Sequence, residues 1–209
     1  MAPAARFLRG FTLIELMVTL AVLVVIAMLA IPSFQAVRQR AALRGAADQT
    51  LSFWNQARLE AAKRNSMVKV GLNYDSTTKA YCLGARVTTN AADTVPCDCT
   101  VAAPADPTTT CDVARFPDSQ EEWRGATLSA VTLGNTTVLT SLKPAVIEPK
   151  RTTLTDPVMD GRVDLVGPVL GTKAYQLRLA VDRLGRGMLC EPTSAVDKLS
   201  DFGNQRCSP

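Results

Sequence analysis

The chain of 209 residues contains no histidine. That absence removes the commonest general base near neutral pH and the commonest zinc ligand, so Ser-His-Asp, Cys-His and His-rich metal chemistry are excluded. Aromatic residues make up only 5% of the chain, and no glycine-rich phosphate loop or carboxylate pair suited to acid–base work stands out. Net charge is small, +4 from 23 basic and 19 acidic residues, and it is spread along the chain. Such a balance excludes a protein built mainly to neutralise phosphates. Cysteine is missing from the N-terminal part and acid is missing from the first turnings of the chain: Arg6 and Arg9 precede the first carboxylate, Glu15.

What is present is one long apolar run. Between Phe11 and Ile31 the only polar residues are Thr12, Glu15 and Thr19, and Pro32 follows. About 20 apolar residues at ~1.5 Å each cover the ~30 Å hydrocarbon core of a bilayer, so a membrane-spanning helix is expected over 11–32. The basic flank places the N-terminus in the cytoplasm and the remainder across the membrane. A cleaved secretory signal is the rival, but the run is too long for its apolar core and no good small-x-small cleavage site follows it before Pro32. Glu15 is the anomaly, because a carboxylate within a bilayer costs ~2.5 kcal/mol or more on the mildest scale and is usually functional and paired.

Beyond Pro32 the sequence predicts that the helix continues over 33–65, since Pro in a supported long helix bends it rather than ending it. Phe34, Val37, Ala41, Ala47, Leu51, Trp54, Ala57 and Ala61 form the expected packing stripe, with Arg38, Arg40, Arg44, Arg58, Lys63 and Arg64 largely off it. The period then becomes two. Strands are expected at 68–72, 80–87, 123–133, 136–142, 162–166 and 174–181, with a turn at Asp182-Arg183-Leu184-Gly185 leading into 186–190. One long helix followed by strands predicts α+β architecture, a helix packed on an antiparallel β domain over 66–209.

The six cysteines, Cys82, Cys97, Cys99, Cys111, Cys190 and Cys207, fit an oxidising compartment. Three of them lie in an irregular stretch, 88–118, rich in Thr, Ala, Asp and Pro. Cys97-Asp98-Cys99 lacks the spacing of a zinc site. A bond between Cys97 and Cys99 would close a very small strained ring, which leaves Cys82–Cys97 with Cys99–Cys111, or Cys82–Cys99 with Cys97–Cys111. Cys190 and Cys207 bracket a C-terminal loop of about 18 residues, whose closure is worth ~3 kcal/mol in the chain-entropy account.

Gly10-Phe11-Thr12-Leu13-Ile14-Glu15 behind a short basic leader resembles the class III signal of type IV pilins and type II secretion pseudopilins. The segment Ser52 to Leu72 resembles the helix end and first strand of the GspH/FimT group of minor pilins and pseudopilins. The resemblance implies that residues 1–10 are a leader, cut between Gly10 and Phe11 by a prepilin peptidase that then methylates the new amine of Phe11. It also implies that Glu15 pairs with the Phe11 amine of a neighbouring subunit, that Pro32 shapes the filament-core helix, and that a C-terminal disulfide loop is present. The function implied is structural and non-enzymatic: a minor pilin that helps prime a type IV pilus at or near its tip, or else a minor pseudopilin of type II secretion. Its partners would be other pilin or pseudopilin subunits, the peptidase and the inner membrane, which holds it by one span before it reaches a pilus or a periplasmic filament, and no cofactor is implied. Some FimT-like pilins bind DNA through a Gly-Arg-x-Arg motif; this chain has Gly185-Arg186-Gly187-Met188, lacking the second arginine, so DNA binding would rest on Arg183 and Arg186.

Overall fold

The computed structural model describes residues 11–75, 80–92, 95–100, 110–117, 123, 125–132, 145–154, 161–168, 173–193, 195–199 and 207, with side-chain surroundings excluded at 29–33, 74–75, 80–81 and 129–132. Among the described residues one α-helix, α1 (Leu13–Arg64, 52 residues), carries two sheets. The first holds β1 (Met67–Asp75), β2 (Ala80–Thr88), β3 (Ala114–Phe116) and β5 (Ala145–Ile147) in the order β3-β2-β1-β5. The second holds β4 (Thr127–Thr132), β6 (Gly161–Val166), β7 (Gln176–Val181) and β8 (Gly187–Cys190) in the order β4-β6-β7-β8. All neighbouring strands are antiparallel.

The backbone of α1 stays helical through Pro32, as the sequence predicts. Thr12 caps its start, and Asn65 ends it in the left-handed region at φ 46°, a conformation that asparagine tolerates. Asn65 and Ser66 donate their N–H groups to Ala62 and Ala61 carbonyls, so the last turn is closed before β1 begins.

The second half of α1 is buried where the two sheets meet. Val68, Val70 and Leu72 of β1 face it with Leu83, Ala85, Phe116 and Ile147, and Val163, Leu165, Leu177, Leu179 and Val181 face it from the other sheet, giving one continuous core. Small residues allow the close approach: Ala46, Ala47, Ala57 and Ala61 are fully buried, and Gly187 leaves room beside Leu51 and Trp54. Trp54 is a core residue whose indole N–H donates to Gly185 O at 2.8 Å, pinning the β7–β8 turn to the helix.

Three expectations need correction. Phe34, Val37 and Ala41 are exposed; the contact row there is Gln39, Leu43, Ala46 and Thr50. This part of α1 meets the β6–β7 turn, whose bare carbonyls at Pro168 and Lys173 need the donor that Gln39 Nε2 supplies at 2.7 and 3.3 Å. Arg40 and Arg58 also belong to the packing, because Arg40 donates to the Tyr175 hydroxyl and stacks over its ring, and Arg58 donates to Thr152. Finally, the 88–118 stretch ends in a strand, β3, and β5 is a further one. Three-residue strands carry too little period to be read, and both exist only because a neighbouring strand pairs with them. The expected strand at 136–142 lies outside the described residues, and that at 123–133 narrows to β4.

Candidate functional site

Phe11 lies just before α1 and is 82% exposed. Thr12 follows as the N-cap, its Oγ1 accepting the Glu15 backbone N–H at 3.3 Å. Thr12-Leu13-Ile14-Glu15 therefore has the Ser/Thr-x-x-Glu form of a capping box, a signal legible in the sequence that periodicity alone passes over. Glu15 stands in the first turn, where a carboxylate faces the positive end of the helix dipole. From Leu13 to Met28 the large apolar side chains are all exposed, so this half of α1 presents an unpartnered apolar surface with one acid near its tip. Gly10 and the residues expected to form a leader, 1–10, lie outside the described residues. Pro32 is placed within the helix, and its side chain is outside them too.

The four central cysteines are joined as Cys82–Cys99 and Cys97–Cys111, with Cα separations of 5.9 and 5.2 Å, which decides between the two pairings open at the sequence level. They form a small buried cluster of their own on the outer face of the first sheet. That face is flattened where Gly71 pairs with Gly84. A Cβ on Gly84 would fall 2.3 Å from Cys111 Sγ and 2.7 Å from Cys97 Sγ, so the Cys97–Cys111 disulfide rests on the glycine backbone itself, with Cys99 Cβ of the other bond at 3.2 Å. With its sulfurs bonded to different partners, Cys97-Asp98-Cys99 offers no thiolate to a metal. Asp98 instead accepts from the Thr100 backbone N–H and hydroxyl and from Asn73. Arg64, at the end of α1, bridges Glu60 at 2.8 Å and Asp112 at 3.1 Å, tying the stapled excursion to the helix. Cys190–Cys207 closes the C-terminal loop, reinforced by Cys207 N–H to Glu191 O at 3.1 Å.

Arg183 and Arg186 sit on the β7–β8 turn. Asp182 organises that turn: its carboxylate accepts the Arg186 backbone N–H at 2.8 Å and lies 3.3 Å from the Arg186 guanidinium. Arg178, which could have extended a basic patch, is held by Asp164 through both guanidinium and carboxylate forks. Arg206 lies outside the described residues. Arg178 and Arg186 are thus matched to acids, and the geometry accounts for Arg186 as the closing residue of a hairpin.

A long capped helix thus carries an exposed apolar half and, on its other half, the folded domain. Residues 8–31 match the family described as Prokaryotic N-terminal methylation motif, which spans Gly10, Phe11 and Glu15 and is the signal of pilin-like proteins handled by a prepilin peptidase and associated with pilin or pseudopilin assembly machinery. No curated protein and no solved structure matches the chain. Among the described residues, no helix is long and apolar enough to cross a membrane. The described side chains of the apolar run stop at Met28, whereas the span expected from the sequence reaches Pro32.

Proposed function

We propose that the chain is a minor pilin of a type IV pilus, a structural subunit that helps prime filament assembly at or near the tip. The observation that carries this reading is the join of two halves in α1: an apolar, unpartnered stretch inside a methylation motif, and a packed stretch bearing a disulfide-stapled β domain. A prepilin peptidase cuts after Gly10 and methylates Phe11, the membrane then stores the helix by a single span over 11–32, and assembly exchanges lipid for neighbouring apolar helices. Glu15 distinguishes this from a permanent anchor. In a bilayer its carboxylate is costly, and in a filament it gains the Phe11 amine of a neighbour.

The test is to express Glu15→Ala and the parent chain in a strain lacking the gene. The variant is expected to insert and be cleaved normally but to enter sheared filaments at least about tenfold less, the loss of one desolvated ion pair. Equal incorporation overturns the assembly role of Glu15. Scoring surface pili and motility, enzyme secretion and DNA uptake side by side in the deletion strain tests the choice of machine: loss of secretion with intact pili would assign the chain to a type II secretion filament, and loss of uptake alone to DNA reception.

A further inference from the structure

We propose that the end of the folded domain nearest the apolar half of α1 is a binding surface for anionic phospholipid head groups, on the leaflet from which the helix emerges. The inference rests on the membrane-stored reading above and adds a ligand to it. Three segments distant in sequence meet at one level of the helix. Gln39 holds the Lys173 carbonyl, Arg40 holds the Tyr175 hydroxyl, and Tyr175 in turn bridges to Asp197. Exposed Arg38, Lys173 and Lys198 lie within this cluster or next in sequence to its members. Asp197, the acid among them, is turned to the Ala174 backbone N–H at 2.8 Å. Beside the cations stand exposed apolar side chains that the core does not use: Phe34 at 63%, Val37 at 57% and Val196 at 86%.

The depth of this patch suits an interface. Arg38 lies about 10 Å along the helix from Ile31, where the apolar run ends, and the head-group layer on each side of the hydrocarbon is ~5–8 Å thick. Long cationic side chains reach back toward phosphates while their stems cover apolar surface, and Phe34 and Val37 fall on the hydrocarbon side of them. Basic residues clustered next to a span attract anionic lipid, and the attraction fades within a Debye length, so the three cations must act at the surface itself. The protein contact that fixes Lys173 beside Arg38 is thereby a positioning device: Gln39 sets the height of the β6–β7 turn over the membrane.

The experiment places the full chain in nanodiscs of phosphatidylcholine alone, or of phosphatidylcholine with one-third phosphatidylglycerol, and follows amide hydrogen exchange at 34–40, 173–175 and 195–199. Exchange is expected to slow by about fivefold or more in the anionic discs. High salt, or the variant carrying Arg38→Gln, Lys173→Gln and Lys198→Gln, is expected to abolish the slowing. Equal exchange in both discs, or slowing that persists in the triple variant, overturns the head-group site while leaving the membrane reading intact. A chain that enters neither disc refutes the membrane reading itself. Protection that rises with the number of chains per disc, in either lipid, assigns the patch to a second copy and also overturns the proposal. Unaltered exchange in the β1–β2 hairpin of the triple variant shows that its fold is preserved.

Discussion

At the scale of single residues, the glycines and the acids decide most. Gly84 has no side chain because the Cys97–Cys111 disulfide occupies the place where one would stand, so Gly84→Ala must displace bonded sulfur rather than a flexible tip. This overpacking is expected to destabilise the domain by ~1–3 kcal/mol, read as a lowered Tm under oxidising conditions. Glu60 illustrates the electrostatic counterpart. Its hydrogen bond to Arg64, with a second to Lys63, holds the carboxyl below the ordinary carboxylate range. A depressed folded-state pKa contributes stability that is present above the unfolded pKa and is lost as pH falls through the folded one. Stability of the parent should therefore fall more steeply on acidification than that of Glu60→Gln, with the two curves converging in acid; parallel Tm-versus-pH curves would show that the pair adds nothing.

Among elements, α1 and the β6–β7 turn are matched by polarity rather than by apolar fit. Gln39 is buried, and its amide serves two carbonyls of the turn, those of Pro168 and Lys173. Gln39→Leu keeps the volume and leaves those carbonyls without their donor, so a loss of ~1–3 kcal/mol is expected by denaturant titration, with faster exchange at 167–175. The helix was legible from composition and period, and the strands β1, β2, β6, β7 and β8 from their alternation. The rows that pack were less so. A periodic stripe fixes which residues share a face, but the partner decides which face is used, and from Phe34 to Ala41 the partner is a polar turn. The exposed apolar row left over, Phe34 and Val37, is the one proposed to meet lipid.

Over the whole molecule, three disulfides act at two distances from the core. Cys82–Cys99 and Cys97–Cys111 fasten an excursion to the outer face of the first sheet, and Cys190–Cys207 closes the chain's last loop against the second. The last bond joins cysteines 17 residues apart, so removing both thiols by Cys190→Ser with Cys207→Ser should cost ~2–4 kcal/mol and lower the abundance of the protein in an oxidising compartment. A double variant as stable as the parent would show that the Cys207–Glu191 backbone contact suffices.

The sequence by itself determined the apolar half-helix, the basic residues before it, the acid at the fifteenth position and the motif around Gly10 and Phe11. These are local: an apolar run, a small residue and a charge have the same meaning wherever the rest of the chain goes. Glu15, Phe11 and the six cysteines could all be named before any fold was known. Only the tertiary structure decided which cysteines pair, that Gln39 and Arg40 face inward while Phe34 and Val37 face out, and that Arg178 and Arg186 are matched to Asp164 and Asp182. Each of these depends on residues far apart in the chain being brought within a few ångströms, and sequence period records the face a residue occupies without recording what stands opposite it.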